Sequence, residues 1–206
     1  MIIGVVCVCS RGLVHSRTIE SIEANLKGMR DQWPVLFTHD LSIPDAQNDI
    51  TDRALALNPK WLWFVEEDMV IPGDLLPDML KLASDNCYDV VTADYNLANG
   101  TKSIMRNKVG GVAYSGMGCL LVRPMVFRRL TKPYFRTNAL YYNPTTAEFD
   151  ARPDSMSYGG QDINLYANLY KMGARVASVD RECLHLRVEG FGRPGVNDGA
   201  HKVAVI

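Results

Sequence analysis

The sequence predicts an open α/β domain: a mostly parallel central sheet, wound on both faces and flanked by helices. Three observations carry that expectation. Short apolar runs recur through the first half of the chain, each followed by a segment with helical spacing of its apolar residues. Strands buried on both faces of a parallel sheet read as continuous runs of this kind. One run, WLWFV at 61–65, ends abruptly in Glu66, Glu67 and Asp68, which places charge at a strand's C-terminal end, where open α/β sheets bind ligands. Finally, 206 residues with 47% apolar and 22% charged content suffice for one full core.

Taken in order, MIIGVVCVC reads as a first strand over 2–9 rather than a leader, because it lacks basic residues and a small-residue cleavage site. SRGLVHS is a loop, and Ile19, Ile22 and Leu26 then mark a helix. Pro34 opens a second strand that ends at Asp40, and Pro44 with Asp45 starts a helix presenting Ile50, Ala54 and Leu57. The strand at 61–65 is followed by the helix GDLLPDMLKLAS, and YDVVTA at 88–93 is the fourth strand. Beyond Asp94 the pattern changes to short strands near 102–105, 111–114 and 119–122, separated by Asn and Gly. PMVFRRL is a brief helix, and 134–153 is an irregular loop rich in Tyr and Asn. Ile163, Tyr166, Ala167 and Tyr170 at i, i+3, i+4, i+7 define a last helix that Gly173 ends. Two strands at 175–179 and 183–187 follow, and then a Gly/Pro-rich tail at 188–206 that reads as mobile.

A formal net charge of -1 gives no global attraction to nucleic acid or membrane. Cys7, Cys9, Cys87, Cys119 and Cys183 are an odd set without a CxxC pair, so reduced thiols are expected rather than a disulfide framework or a zinc site. No apolar run approaches the roughly 20 residues that span a bilayer. The expectation is a soluble, cytoplasmic protein. Three adjacent carboxylates repel one another unless water or a cation offsets them. Oxygen ligands at a strand end suit Mg²⁺ or Mn²⁺, especially an ion that also holds a substrate phosphate. The alternative is a solvated acidic turn.

Four stretches, in this order, resemble the GT-A fold glycosyltransferases, particularly small family 2-like enzymes. They are VVCVCSRGLVHSRTIESI, WLWFVEEDMVIPGDLL, GGVAYSGMGCLLVRPMVF and GGQDINLYANLYKMGARVASVDRECLHL. They look like that family's opening strand and loop, its DxD region, its glycine-containing strand beside the donor sugar, and its catalytic-acid segment followed by a metal-binding histidine. The sequence departs from the pattern in reading EED for DxD and Gln161-Asp162 for the usual Glu-Asp pair.

The resemblance implies a single Rossmann-like GT-A domain over 1–206, with a nucleotide-binding half at 1–94 and an acceptor-side, catalytic half at 95–187. It implies a nucleotide-sugar donor, UDP-linked first and GDP-linked second, a hydroxyl acceptor, and Mn²⁺ or Mg²⁺. Asp68 would be the direct carboxylate ligand, while Glu66 would reach the ribose or a metal-bound water. Glu67 would join Glu66 in contacting the nucleotide-sugar or could equally point away, since neighbours in an extended chain face opposite sides. His185 would be the metal-binding imidazole, against the reading of a core histidine, and His201 is the alternative. Asp162 would be the general base of an inverting transfer, ionised at a helix N-terminus, against the reading of a helix cap. Nucleotide contacts would come from Ser10, Arg11, Gly12 and Asp40, with Asn48 and Arg53 on the next helix and Gly118 by the sugar. Arg187 and Arg193 would close as a lid or remain at the surface.

One feature is independent of any family. No Asp or Glu occurs from 95 to 147, where Lys102, Arg106, Lys108, Arg123, Arg128, Arg129, Lys132 and Arg136 all fall. With Tyr134, Phe135, Tyr141 and Tyr142 beside them, these predict a basic acceptor face suited to an anionic acceptor, modified DNA included. Within it Arg123, Arg128, Arg129, Tyr141 and Tyr142 are the candidate contacts; a solvated surface paired with acids elsewhere is the alternative. Two rival functions share the layout. A sugar-phosphate nucleotidyltransferase would need a Gly-rich basic loop after the first strand, and SRGLVHSR has one glycine. A non-catalytic nucleotide-binding module would leave EED as a surface turn.

Overall fold

Strand β1 (Gly4–Cys9) is buried at every residue and forms the parallel heart of the sheet. The computed structural model describes residues 2–97, 99–137, 140–151, 160–186 and 202–204. After β1 come β2 (Leu13–His15), α1 (Ser16–Asn25), a 3₁₀ turn at Arg30–Gln32, β3 (Val35–Phe37) and α2 (Ile43–Ala56). The first half closes with β4 (Trp61–Glu66), β5 (Met69–Val70), α3 (Leu75–Asp85) and β6 (Val90–Asp94). The second half holds β7 (Met105–Arg106), β8 (Val112–Tyr114), β9 (Cys119–Val122), α4 (Pro124–Arg129), β10 (Leu140–Asn143) and β11 (Glu148–Ala151). It ends with α5 (Gln161–Lys171), β12 (Val176–Glu182), β13 (Leu184–His185) and β14 (Lys202–Ala204).

The central sheet runs β3-β1-β4-β9-β6-β12. Its strands are parallel except β9, which lies antiparallel between β4 and β6. This is the mostly parallel α/β sheet flanked by helices that the sequence predicts. Alternation along β4 builds two cores. Trp61, Trp63 and Val65 face a layer containing Ile22, Leu75, Leu76 and Met79 from α1 and α3. Leu62 and Phe64 face Ile50, Phe127, Phe135, Leu165 and Tyr166, on the side of α2, α4 and α5. In register, Val8 pairs with Val65 and Cys9 with Glu66. The loop after β1 therefore lies against the acidic end of β4.

Several elements differ from expectation, among them the short strands β2, inside the stretch expected as a loop, and β5. The antiparallel insertion of β9 is another, because CLLV carries no signal of strand direction. The segment expected as an irregular loop contains the β10–β11 hairpin, in which the Asn143 side chain accepts from the backbone of Thr145 and Thr146. In place of a full strand over 183–187, β13 pairs antiparallel with β5, outside the central sheet. In the tail, which reads as mobile, 202–204 pair as a strand with β2. The five cysteines are free, and Cys87 alone is exposed. Among the described residues no helix is long and apolar enough to cross a membrane.

Candidate functional site

The chain turns at Glu67 and Asp68, between β4 and β5, and the turn gives the three acids different partners. Glu67 turns toward the α1 side and is buried, 4% exposed. Its carboxylate accepts from the Arg11 backbone N–H at 2.6 Å and from Arg11 Nε at 2.7 Å, with Nη2 at 2.5 Å. Its carbonyl accepts from Thr18 Oγ1 and from the backbone N–H of His15. Glu67 is thus the clamp that holds the β1–β2 loop, and this occupies its charge. All three acids line a cleft that also presents Cys9, Ser10, Arg11, Ile43, Ala46 and His185, enclosing about 470 Å³ with its open mouth, but Glu67 meets it already paired with Arg11.

His185 reaches that cleft because β13 docks on β5 and the backbone N–H of Leu186 donates to the Asp68 carbonyl at 2.8 Å. Its Nε2 lies 3.1 Å from Asp68 Oδ2, and its Nδ1 lies 3.3 Å from the Asn96 carbonyl. Both ring nitrogens thus face acceptors, which the imidazolium satisfies by donating at each; in the neutral ring a proton held on Nδ1 by the Asn96 carbonyl would turn the Nε2 lone pair toward Asp68 and a shared cation, the arrangement typical of metal-binding histidines. The hydrogen bond to Asp68, helped by the Asp68 and Glu66 charges and opposed by burial, raises the imidazole pKa. The Tyr95 ring packs edge-on against His185, centroids 5.4 Å apart. Two glycines make room for that ring. A Cβ on Gly116 would lie 2.0 Å from the Tyr95 hydroxyl, and one on Gly118 would lie 2.4 Å from Met69 Cε and 2.6 Å from Tyr95 Cε1. Gly118 also donates its N–H to the Tyr95 hydroxyl at 3.3 Å and accepts from the Glu66 N–H at 3.2 Å. Its place is beneath Tyr95, not on the wall of the cleft.

Asp162 enters the same electrostatic environment from α5. The helix is capped by Gly160 in the left-handed region, φ 101°, so Asp162 occupies the first turn and is not the cap. Its Oδ1 accepts from the Ile163 N–H at 2.8 Å. Burial nonetheless dominates and raises its pKa, with the backbone N–H groups opposing; this revises the expectation that the helix terminus alone sets its ionisation. Glu66 feels both neighbouring acids. Burial first, then Asp68, Asp162 and Glu67, push its carboxyl up to about 8, with His185 opposing.

Among the described residues no set of three His, Cys, Asp or Glu side chains already converges as a ligand shell. The site offers a converging pair, Asp68 and His185, with Glu66 beside it. That fits an ion such as Mn²⁺ or Mg²⁺ that takes one or two protein ligands and completes its shell with phosphate and water. A cation would also relieve the crowding expressed in the Glu66 shift.

The other nucleotide candidates divide. Ser10 and Arg11 line the cleft, but the Ser10 hydroxyl bonds the Leu13 carbonyl and the Gly12 N–H. Asp40 has an almost fully exposed carboxylate and lies beside Gly12, with positive φ of 59°. Arg53 is outside the cleft, bound to the Phe37 carbonyl and to Asp49. Asn48 is engaged in holding Tyr134 and Phe135 onto α2. Arg187, Arg193 and His201 lie outside the described residues.

The expected basic face does not form as one surface. Arg123 stacks over Trp61 at 4.4 Å and donates to the Tyr88 carbonyl. Trp61 opens β4 and Glu66 closes it, so Arg123 sits about 16 Å from the acids, at the opposite end of the sheet. Arg128 shares that end, bound to Asn58 Oδ1. Arg129 donates to the Met172 carbonyl beyond α5. Tyr142 is buried among Tyr114 and Phe149, and Tyr134 and Phe135 are buried against Phe127. Burial removes these three rings from any stacking role. Tyr141 is half-buried, opposite Asp150 in the hairpin. Sequence reasoning missed Tyr95 and Asn96, for which the signal was their place directly after the strand ending at Asp94.

No protein-family model matches the sequence, and no curated protein aligns with it significantly. Solved structures do match. One is A197 from STIV, with a TM-score of 0.61 and 16% identity over 88% of this chain and 83% of that one. At such identity the likeness shows the fold alone.

Proposed function

We propose that this chain is a metal-dependent glycosyltransferase, moving a hexose from a nucleotide diphosphate donor, UDP first and GDP second, to a hydroxyl acceptor with inversion. The observation that carries the reading is the Asp68–His185 pair, whose carboxylate and imidazole sit 3.1 Å apart. It lies beyond the C-terminal end of β4 in a mostly parallel sheet, with Asp162 acting on the same acidic cluster from α5. Asp68 and His185 would hold the ion, with Glu66 next to it. When bound, a divalent ion supplies charge neutralisation for a departing diphosphate.

The chain's own residues provide the rest. Asp162, ionised, accepts the proton of the acceptor hydroxyl as that oxygen forms a bond to the sugar C1. The bond from C1 to the β-phosphate oxygen breaks on the opposite face, and its electron pair leaves with the nucleoside diphosphate. Tyr95 and the Asn96 carbonyl hold the imidazole in one orientation, so Nε2 needs no reordering when the donor arrives. The β1–β2 loop argues against a nucleotidyltransferase. Its amides at Ser10, Arg11 and Gly12 are already bound to Thr38, Glu67 and Ser10, which leaves no nest of free N–H groups for a triphosphate.

Calorimetry with UDP and GDP, with Mn²⁺ and then EDTA, tests the reading, followed by a panel of nucleotide-sugars scored for slow donor hydrolysis. The expected result is nucleotide binding that requires the metal, with hydrolysis of one donor class. Failure to bind either nucleotide in the presence of Mn²⁺ would overturn it.

A further inference from the structure

We propose that a second cleft, on the face of α5 turned away from the sheet, binds a phosphate-bearing ligand. The helical period separates two faces of α5. Leu165, Tyr166 and Leu169 pack into the core on the side that carries Asp162. Asn164, Ala167, Asn168 and Lys171 lie on the opposite side, where they line a cleft of about 1080 Å³ including its open mouth, together with Arg129 and Arg136. This cleft is separate from the one that holds Asp68 and His185, and among the described residues no carboxylate lines it.

Among the described residues the charge in the cleft has no carboxylate counterpart, and two of its three cations are held in place. Some exposed cations take carboxylate partners, as in Arg30–Glu23, Lys102–Glu182, Lys132–Asp52 and Arg181–Asp78, whereas others, such as Arg106 and Arg128, bond neutral oxygens. Among the described residues Arg129, Arg136 and Lys171 take no carboxylate partner. The two guanidinium groups are held instead by backbone carbonyls, Arg129 by Met172 at 3.1 Å and Arg136 by Pro133 and Lys132 at 3.1 Å each. Such contacts orient a guanidinium without cancelling its charge. The half-buried Asn168 amide makes no side-chain hydrogen bond among the described residues, and a neutral donor is therefore free beside the cations.

A structural role explains only part of this. Arg129 and Lys171 lie at the C-terminal end of α5, where cations complement the helix dipole. Arg136 is at the other end, its carbonyl accepting from the Asn164 side chain in the early turns of α5, where the dipole disfavours a cation. Seven residues separate Asn164 from Lys171, about 10 Å along the axis. Positive charge at both ends of such a span suits a ligand with more than one phosphate. Arginine forks and a lysine point charge are the usual pairing for phosphate oxygens. The exposed aromatic surface needed to stack bases is lacking among the lining residues, so the phosphates themselves would supply the recognition.

Two probes distinguish the source of the phosphate: inorganic pyrophosphate, by calorimetry, and a labelled single-stranded oligonucleotide, by anisotropy over a salt series. Both are run in EDTA, so that binding through the Asp68–His185 site is excluded and the outcome is independent of the proposed transferase activity. The expected result is binding of at least one probe, weakened about tenfold or more in Arg136→Gln/Lys171→Gln, since a charge-assisted contact is worth roughly one decade or more. Arg136→Lys should restore most of the affinity, and Lys27→Gln should leave it unchanged. Binding of the oligonucleotide alone, with a salt slope shallower by about 0.7 for each phosphate the variant no longer neutralises, would assign the phosphates to a strand backbone. Binding of pyrophosphate alone would assign them to a small ligand. Lack of binding by both probes at low ionic strength would overturn the proposal, as would equal binding by the double variant.

Discussion

Glu67 and Asp68 are adjacent carboxylates with opposite duties, and exchanging each for its amide should separate stability from binding. Glu67 is buried, and its carboxylate receives three contacts from Arg11 at 2.5–2.7 Å. Removing one member of a buried pair costs about 3–5 kcal/mol when the other is left stranded. The Arg11 side chain is 41% exposed and can recover water, which lowers the expected cost of Glu67→Gln to about 2–3 kcal/mol. In a domain of this size that lowers Tm by roughly 5–10 °C. Asp68 engages a single side chain, His185, so Asp68→Asn should change stability by less than about 1 kcal/mol. Urea unfolding followed by tryptophan fluorescence reports both, because Trp33, Trp61 and Trp63 are all buried. Metal-dependent UDP or GDP binding should survive in Glu67→Gln and vanish in Asp68→Asn. The opposite pattern, with Glu67→Gln stable but unable to bind and Asp68→Asn unstable but competent, would make Glu67 the ligand and Asp68 the clamp.

Asp162→Asn should lower turnover by about 10²–10⁴ while sparing donor binding, and turnover within a few-fold of wild type would reduce Asp162 to a helix-terminus residue. Because burial raises the Asp162 pKa, its charge is a cost to the fold at neutral pH. The Asn variant should therefore melt higher than wild type at pH 7, and the gain should fade as pH falls through the raised value toward the ordinary aspartate range. A lower melting point for the variant at pH 7 would contradict this. Gly118→Ala drives a methyl into Met69 and Tyr95, so a loss of about 1–3 kcal/mol is expected, with weaker Mn²⁺-dependent nucleotide binding; an unchanged urea midpoint would show that the Tyr95 cradle is loose. His185→Ala should weaken Mn²⁺ binding more modestly than Asp68→Asn, and unchanged affinity would return His185 to a structural role.

Much of the layout was legible because it is written in short-range patterns. The apolar run ending in Glu66 announces a buried strand with charge at its C-terminal edge, and alternation along it assigns Trp63 and Phe64 to opposite cores. The juxtaposition of His185 with Asp68 depends on a two-residue strand docking on another, which no local pattern encodes; only the family resemblance suggested it. Local chemistry was equally silent on the inserted β9, since a four-residue apolar strand pairs in either direction. The basic segment is the most instructive case. Composition correctly found a stretch without acids, yet it could not say which end of the sheet each arginine would occupy. The contact of Arg123 with Trp61 puts one part about 16 Å from the acids, whereas Arg136 and Arg129 converge with Lys171 of α5 on a single cleft. The aromatics that seemed to complete a stacking surface were core residues, because Tyr and Phe bury more apolar area than any acceptor contact at the surface would leave exposed. Charge asymmetry along a chain therefore does not by itself mark unpaired cations, since Lys102 and Lys132 of this stretch pair with Glu182 and Asp52 from elsewhere; the packing of the chain decides which of the remainder share a cleft.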